Sequence, residues 1–407
     1  MISMKTCKVC GSNKLHKVLD LGMMPNANRL LKESEIDNFK VFPLKYYWCS
    51  DCSFFQQVDL VDSQDLFERE YTYQTGVNSP AIEHFSSLVS TLLARADKKS
   101  LGVVLASNDG TEIEILRNGA GVGNVIGVEP AKNMAELANS KGLTTINAFF
   151  DRKVSREITS KYGRADIVMA NNVLAHIPDP LGFLAGIEHL LSEDGIAIIE
   201  VQWLKDFVDK IAIEMLYAEH YYIWSSKAMK ELARKSGLVV VDIDILEKQQ
   251  GGSLRFWMKK HGDFTEKLES EEKSAGLYDL ETLLRLQERS DERKNNLRNL
   301  IGQLKSDGKT IDIWSVPAKV STMLNYSGLD STSIRFAYDS TPAKIGKYIP
   351  KTHIPILDEK RLHRGMEDPP DFLIIGAWNY IEYAKQKLSW FTEEGGRLIN
   401  LLDGSFQ

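Results

Sequence analysis

The sequence is poor in cysteine, in long apolar runs and in clustered positive charge, and each scarcity excludes some classes of protein or of binding partner. Only 4 of the 407 residues are cysteines, and none follows Cys52. No apolar run reaches the length of about 18 residues that a membrane-spanning helix needs. The N-terminus also lacks the apolar centre of a signal peptide. We therefore expect a soluble, cytoplasmic protein with no membrane partner.

The formal net charge is -6, and the basic residues are scattered along the chain. Without a Lys/Arg tract to follow a phosphate backbone, nucleic acid is not an expected partner. A local pocket for a sugar diphosphate is still allowed. The length exceeds that of one ordinary domain and predicts two or three hydrophobic cores.

The glycine-rich cradle for a dinucleotide pyrophosphate is also missing. An apolar run over residues 101–116 is broken by the turn Ser107-Asn108-Asp109-Gly110, a pattern typical of strand, turn and helix. The next strand, residues 125–128, ends at Glu129, where doubly wound sheets place an acid for ribose hydroxyls. The nearby glycines follow the helix instead of opening it, so GxGxxG is absent. A nucleoside without pyrophosphate fits better, and S-adenosylmethionine is one, with its amino acid over the turn and its ribose at Glu129. An α/β core without a nucleotide is the alternative.

The few cysteines form two CxxC pairs, Cys7 with Cys10 and Cys49 with Cys52. Paired CxxC motifs supply four thiolates in the tetrahedral arrangement that Zn²⁺ prefers, while disulfides are disfavoured in a reducing cytosol. Because a closed four-thiolate shell leaves no position for substrate, we expect a structural zinc ion.

Polar residues follow a later apolar strand and also form a separate cluster further on. Asn171 and Asn172 come directly after residues 166–170, at the strand end where open α/β sheets bind ligands, and His176 follows. His176 could equally be structural. Glu219 precedes His220, and a carboxylate can orient an imidazole as a general base, although sequence neighbours need not touch.

Two further segments complete the chain. Tyr71 begins a stretch with loop character, where its hydroxyl could serve a site or its ring could pack between helices. Residues 264–304 are charged and helical, and from residue 310 strands and helices alternate, which predicts a second, smaller doubly wound sheet. Lys319 stands at the first strand-to-helix turn of that sheet, where it could bind phosphate or lie on the surface.

Taken in order, these stretches resemble the nucleotide-deoxysugar C-methyltransferases along essentially the whole chain. The shared motifs are a zinc module with an LGxxPxAN-like insertion, an EIGSNDG-like turn, NNVxAHIPD, a YHEH-like segment, GGSLR, a YGAPAKxxTLLNYxGI-like stretch, a PGTHIPI-like loop and a WN pair. They are found here at residues 21–28, 104–110, 171–179, 217–220, 251–255, 314–329, 350–356 and 378–379.

The resemblance implies a zinc module over residues 1–61, a class I methyltransferase domain with a Rossmann-like fold over 62–250, and a C-terminal doubly wound α/β domain over 251–407. It implies methyl transfer from S-adenosylmethionine to a carbon beside the ketone of a TDP- or GDP-linked sugar, by way of an enolate. We expect a monomer or a weak homodimer.

The resemblance also assigns roles to individual residues. His220, oriented by Glu219, would remove the proton, while Tyr71, Tyr217 and His176 would surround the sugar and donate hydrogen bonds to the oxyanion. The expected cofactor residues are Ser107, Asn108, Asp109, Gly110, Glu129, Phe150, Asn171 and Asn172. Lys319, Lys351 and His353 are expected to contact the nucleotide diphosphate.

The chain departs from the family pattern at a few positions. Val104 and Ala106 replace the acid and the first glycine of the cofactor turn, Ala218 replaces the first histidine of YHEH, and Ile223 stands where a tyrosine is usual. Two alternatives therefore stay open: an O- or N-methyltransferase acting on a nucleotide sugar, and a non-catalytic zinc-module protein that binds sugar nucleotides.

Overall fold

The computed structural model of the chain describes residues 2–3, 6–61, 74–77, 79–95, 100–247 and 249–407. The described residues form sheets of two, four, seven and six strands. Tyr71 lies outside the described residues. No helix within the described ranges is both long and apolar enough to cross a membrane.

The N-terminal module is built from short antiparallel strands. They are β1 (Ile2–Ser3), β2 (Leu15–Pro25), β3 (Val41–Cys49), β4 (Phe55–Gln57) and β5 (Asp59–Leu60). Strands β2, β3 and β4 pair in sequence, and the free side of β4 pairs with a strand from the central domain, Tyr222–Ile223 (β11). The zinc module and the central domain therefore share a sheet.

The central domain alternates strands and helices. Its strands are β6 (Leu101–Leu105), β7 (Asn124–Val128), β8 (Thr145–Ile146), β9 (Ala165–Asn171), β10 (Leu191–Gln202), β12 (Val239–Leu246) and β13 (Ser253–Lys259). Its helices are α1 (Ser79–Leu93), α2 (Thr111–Ala120), α3 (Lys132–Ser140), α4 (Arg152–Tyr162), α5 (Pro180–Leu190), α6 (Leu204–Lys210) and α7 (Ser226–Lys235).

These strands form one sheet in the order β12-β13-β10-β9-β6-β7-β8. Strands β10, β9, β6, β7 and β8 are parallel, and β13 runs antiparallel to both of its neighbours. Because β13 inserts between β10 and β12, the central sheet extends to Lys259, beyond the boundary predicted at residue 250. The sequence shows no sign of this return, since an antiparallel strand that closes a sheet has the same apolar pattern as one that opens a new domain.

Buried side chains cover both faces of the central sheet. Val104 and Met169 face a core shared with α1 and α2, whereas Val103 and Val168 face α4, α5 and α7. Alternating strand residues point to opposite faces, so residues 171 and 200, each two positions beyond a residue of the first core, continue that face at the strand ends.

The C-terminal domain repeats this design on a smaller scale. Its strands are β14 (Ile311–Trp314), β15 (Ala337–Asp339), β16 (Tyr348–Ile349), β17 (Ile354–Asp358), β18 (Phe372–Ile375) and β19 (Arg397–Asn400). Its helices, with two that precede the sheet, are α8 (Glu269–Ser274), α9 (Leu280–Ser306), α10 (Ala318–Ser327), α11 (Ile381–Lys387) and α12 (Ser389–Glu393). The order is β16-β17-β15-β14-β18-β19, and all strands but β16 are parallel.

Helices cover both faces of this second sheet, as predicted: α10 packs on one face, and α11 and α12 pack on the other. The long helix α9 joins the three parts of the molecule. Gln287 accepts a hydrogen bond from the backbone of Asp20 in the zinc module at 2.8 Å. Arg293 pairs with the buried Glu214 at 2.6 Å and donates to the carbonyl of Leu401 at 3.1 Å. These contacts hold the loop that precedes His220 between the domains.

Candidate functional site

The four cysteine sulfurs meet at one point of the N-terminal module, all within 4.8 Å of one another. Cys7 and Cys52 are 3.5 Å apart at their Sγ atoms, as are Cys10 and Cys49. Hydrogen bonds from Cys52 and Cys7 lower the pKa of Cys49, whereas the pKa of Cys7 rises to about 12. A divalent cation would allow all four thiols to ionise together. The donor set therefore fits zinc, with every ligand supplied by the protein.

The zinc module also reaches the candidate catalytic loop. The Tyr46 hydroxyl donates to the carbonyl of His220 at 2.5 Å, and Gln57 Nε2 lies 2.8 Å from the same oxygen and 3.0 Å from the carbonyl of Tyr217. Asn28 Nδ2 donates to Glu219 Oε2 at 2.6 Å. Asn28 belongs to the insertion noted in the sequence, but nothing in the sequence distinguishes Tyr46 or Gln57.

His220, Tyr217 and His176 form a compact aromatic cluster. The centroid of the His220 ring lies 3.8 Å from the centroid of the Tyr217 ring and 4.8 Å from the centroid of the His176 ring. His220 Nδ1 lies 2.7 Å from the carbonyl oxygen of Met215, and His220 Nε2 lies 2.5 Å from the Tyr217 hydroxyl. Because a carbonyl can only accept, Nδ1 carries the proton, and Nε2 of the neutral ring faces Tyr217.

This arrangement corrects one expectation about Glu219. Both ring nitrogens of His220 have other partners, so the carbonyl of Met215, and not the Glu219 carboxylate, orients the imidazole. The sequence could not show this, because every residue has a backbone carbonyl. Glu219 is buried and held by Asn28, and burial raises its pKa to about 7.

Burial keeps both histidines neutral near pH 7. It lowers the pKa of His176 to about 4, although a hydrogen bond with the backbone of Glu219 opposes the shift. Burial, followed by the electrostatic influence of the neighbouring His176 and Lys319, lowers the pKa of His220 well below its usual range. A neutral imidazole can accept a proton, so His220 has the protonation state of a base.

The predicted cofactor turn follows β6 and adopts strained backbone conformations. Ala106 and Asn108 have positive φ angles of 55° and 50°, and Gly110 has a φ of 86°. A Cβ at Gly110 would lie 2.3 Å from Leu143, so this position requires glycine. The Cβ of a side chain at Gly127 would lie 2.4 Å from Ser107 Oγ, and glycine there leaves room for the turn.

Asp109 and Asn108 anchor this turn to the segment before α1. Asp109 accepts hydrogen bonds from Thr111 through one oxygen, at 2.7 Å from the hydroxyl, and from the backbone of Gly76 through the other, at 3.1 Å. Asn108 Oδ1 accepts from the backbone of Thr75 at 2.9 Å. The two side chains therefore fix the shape of the turn.

Glu129 lies at the end of β7, next to the turn. Its oxygens accept backbone N–H groups of Asn108 and Ala131, each at 2.8 Å. Burial raises its pKa. A carboxylate has about four acceptor positions, so two positions can still take ribose hydroxyls. Asn147 donates to the carbonyl of Glu129 at 2.9 Å, although no motif in the sequence points to this residue.

The remaining cofactor candidates lie around these strand ends. Asn171 is buried at the end of β9, and Asn172 follows with a φ of 56°. The ring of Phe150 packs edge-on against Phe183, with centroids 5.4 Å apart. Ser107 Oγ and Asn171 Oδ1 are buried, and neither has a hydrogen-bond partner in the part of the chain that the structure describes. Open acceptors and a hydroxyl beside Glu129 fit the amino acid and ribose of S-adenosylmethionine, despite the valine at 104.

The structure separates the three predicted phosphate contacts. Lys319 is buried, donates to Asn379 Oδ1 at 2.5 Å and lies 5.3 Å from the centre of the Trp378 ring. Its positive charge helps to lower the pKa of His220. Lys351 instead contacts the carbonyl of Met23 at 3.2 Å, and His353 lies 3.5 Å from Asp37. These two residues face the zinc module.

Family models match three successive parts of the chain. A zinc binding domain matches residues 7–67, a methyltransferase domain matches residues 82–243, and a C-methyltransferase C-terminal domain matches residues 248–402. These matches confirm the predicted fold class and the expected zinc and S-adenosylmethionine. The division of the chain at residues 61 and 250 stays a prediction.

The C-methyltransferase NovU of Streptomyces niveus is 30% identical to the chain over 401 residues, which cover 97% of this chain and 94% of NovU. Among solved structures, a S-adenosylmethionine-dependent methyltransferase from Clostridium acetobutylicum is 12% identical, with 44% of this chain and 92% of that chain covered and a TM-score of 0.35. Magnesium protoporphyrin IX methyltransferase of Synechocystis with bound SAM is 14% identical, with 44% and 79% covered and a TM-score of 0.33.

Proposed function

Since the chain belongs to the C-methyltransferase family and uses S-adenosylmethionine to methylate carbon, we propose that its acceptor is a nucleotide-linked keto-deoxysugar. The resemblance found in the sequence is confirmed, and the nucleotide, TDP or GDP, is part of the proposal. S-adenosylmethionine supplies an electrophilic methyl group, and the protein must make a carbon nucleophilic. A carbon beside a ketone becomes nucleophilic when a base removes its proton to give an enolate.

The observation that carries this proposal is the tautomer of His220. Its Nδ1–H donates to the carbonyl of Met215, which leaves the lone pair of Nε2 toward Tyr217. The proton of the substrate carbon passes to Nε2, directly or through the Tyr217 hydroxyl, which gives its own proton to Nε2 as it accepts the other. The carbon keeps the electron pair of the broken C–H bond, and the ketone oxygen gains negative charge.

The groups that stabilise this oxygen follow from the same geometry. The neutral ring of His176 has one N–H to donate, and the hydrogen bond with the backbone of Glu219 competes for it, so its expected role as a donor stays a prediction. We assign the donation to the Tyr217 hydroxyl, once it has given its own proton to Nε2 and holds the proton of the substrate carbon, and to the ammonium of Lys319, whose charge helps to lower the pKa of His220. Such donors aimed at a developing charge in a dry site typically contribute a large part of catalysis.

Solvent exchange tests the enolate separately from methyl transfer. The protein, loaded with S-adenosylhomocysteine so that no methyl group is available, is incubated in D₂O with TDP- and GDP-linked keto-deoxysugars, and deuterium uptake is followed by mass spectrometry. We expect exchange at the carbon beside the ketone, and we expect His220→Asn to slow it by about 100-fold or more while S-adenosylhomocysteine still binds.

His261→Asn is the matched control, because His261 is exposed and contacts only Glu193 among the described residues, at 2.6 Å. Methylation without exchange would favour an acceptor oxygen or nitrogen, and normal exchange in His220→Asn would remove His220 from the role of base. A preference between the two diphosphates identifies the nucleotide.

A further inference from the structure

Glu112, in the first turn of α2, is a buried carboxyl group without a cation. It is 8% exposed, and Oε2 accepts one hydrogen bond, from Asn171 Nδ2 at 2.8 Å. No cation pairs with Glu112 within the described ranges. Burial raises its pKa to about 8, and the carboxylates of Glu200 and Asp109 raise it further. A positive ligand beside this carboxyl group would stabilise its ionised form, so the group has the surroundings of a site for such a ligand.

The neighbouring acids already have partners of their own. Glu200 receives Arg255 Nε and His84 Nε2, each at 2.6 Å. Asp109 accepts the hydrogen bonds from Thr111 and Gly76 and lies 3.6 Å from Lys141 Nζ. Within the described residues, Glu200 and Asp109 each have a cationic partner, and Glu112 does not.

Asn171 supplies an independent sign of a ligand. The residue is 9% exposed, and its Oδ1 has no hydrogen-bond partner among the described residues, although its Nδ2 is bonded to Glu112. The same amide therefore holds one acceptor in place and offers a second acceptor beside it. Buried polar atoms are rarely left unpaired, so a missing donor is indicated at this position.

The pair stands where an amino acid group of the cofactor would lie. Asn171 ends β9, and the turn Ser107–Gly110 follows the neighbouring parallel strand β6. Ligands of open α/β sheets bind in the crevice at these carboxyl ends. Strand β6 offers no carboxylate of its own here, because Val104 is packed in the apolar core with Met169.

We propose that Glu112 and Asn171 bind the α-ammonium group of the cofactor. The carboxylate of Glu112 and Oδ1 of Asn171 accept hydrogen bonds from the ammonium, and its positive charge balances the ionised Glu112. This inference rests on the family assignment and on the described contacts, and it is independent of which sugar is methylated.

The test compares S-adenosylhomocysteine with its analogue in which hydrogen replaces the α-amino group, by calorimetric titration of the full chain. Glu112→Gln preserves the shape and the bond from Asn171 but removes the charge. We expect this variant to bind S-adenosylhomocysteine about 10- to 100-fold more weakly than the unaltered protein does, while its affinity for the deamino analogue changes less than about twofold. Asn171→Ala should show the same selective loss at about 10-fold.

Glu114→Gln is the control, since Glu114 lies on the same helix, is half-buried and should leave both affinities unchanged. Equal weakening for both ligands would show a merely structural role, and unchanged binding in Glu112→Gln would also overturn the inference. If the unaltered protein bound neither ligand, the cofactor assignment itself would fail. Thermal melting of each variant verifies that it folds.

Discussion

The central and C-terminal sheets share a turn that is held by an acid from the neighbouring strand, but the surroundings of that acid differ between the two sheets. In each sheet a strand ends in a tight turn, and an acid at the end of the next strand accepts two backbone N–H groups. Glu129 accepts from Asn108 and Ala131 at 2.8 Å each. Asp339 accepts from Val316 at 2.8 Å and from Thr341 at 2.9 Å.

The two acids differ in their charge partner. Lys344 Nζ lies 3.0 Å from Asp339 Oδ2, whereas no cation pairs with Glu129 in the described part of the chain. Burial raises the pKa of Glu129. Burial acts the same way on Asp339, but Lys344 and the backbone N–H groups outweigh it and the pKa is lowered. One acid is thus left open to ligand hydroxyls, and the other is closed by the protein itself.

The space beside the two turns differs as well. A Cβ at Gly376, directly after β18, would lie 2.1 Å from the carbonyl oxygen of Ser315, so the strand ends of the C-terminal sheet are in close contact. That domain instead directs Lys319 toward the catalytic loop, because α10 is bound to it through Thr322, whose hydroxyl donates to the carbonyl of Leu216 at 2.8 Å. We propose that the repeated fold provides a cofactor crevice in the central sheet and one wall of the catalytic site in the C-terminal domain.

The largest expected effect comes from exchanging the two acids for amides. In Glu129→Gln and Asp339→Asn, one of the two carboxylate oxygens that accept backbone N–H groups becomes an NH₂ group, which cannot accept. Each variant should therefore lower the free energy of unfolding by about 1–3 kcal/mol. Only Glu129→Gln should weaken S-adenosylhomocysteine, by about 10- to 100-fold, because only Glu129 is open to ribose hydroxyls. Urea unfolding and calorimetric titration measure the two quantities. A similar loss of affinity in Asp339→Asn would erase the distinction between the sheets.

The sequence predicts the parts of this comparison that depend on local pattern. The cysteine spacing predicts the metal cluster, the apolar run broken at residues 107–110 predicts the cofactor turn, and the strand and helix alternation after residue 310 predicts the second sheet. Each is a signal confined to a short stretch, where residue type and backbone conformation are directly linked.

The site itself could be predicted only in part, because its decisive contacts join distant segments. Gln57 and Asn28 reach the loop of His220 across more than 160 residues of chain. The imidazole of His220 is oriented by the backbone carbonyl of Met215, and a backbone contact of this kind cannot be predicted from the type of side chain. Glu112 appears in the sequence as an ordinary acid in the first turn of a helix, and only the fold shows that it is buried.

A smaller effect is expected at Lys319, which distinguishes the catalytic wall from the cofactor crevice. Lys319→Met should lower kcat/KM for the sugar nucleotide by about 10-fold and leave S-adenosylhomocysteine affinity unchanged. Lys351→Met, a control from the same domain, should change kcat/KM less than about threefold, because an exposed contact to a carbonyl contributes little.

The pH dependence of kcat/KM adds a readout for the same lysine. Burial lowers the pKa of Lys319 to about 8, and the ammonium is the charged form, so its contribution is present below pH 8 and is lost as pH rises through that value. The unaltered protein should show this decline, and Lys319→Met should not. An unchanged alkaline limb in the variant would assign the decline to another group.

The smallest effect concerns the residues that hold the two turns in left-handed backbone conformations. Ala106 has a φ of 55° and Ser315 a φ of 68°, in a region that costs a non-glycine residue about 1–2 kcal/mol. Glycine relieves this strain but adds about 0.4–1 kcal/mol of unfolded-state entropy, so Ala106→Gly and Ser315→Gly should each stabilise the protein by about 0–1.6 kcal/mol. Only Ala106→Gly should also tighten S-adenosylhomocysteine, since only that turn needs close approach of a ligand to its backbone. Destabilisation by either glycine in thermal unfolding would mean that the positive φ at that position is not strained. Equal affinity changes in both variants would mean that the two turns do not differ in their approach to the ligand.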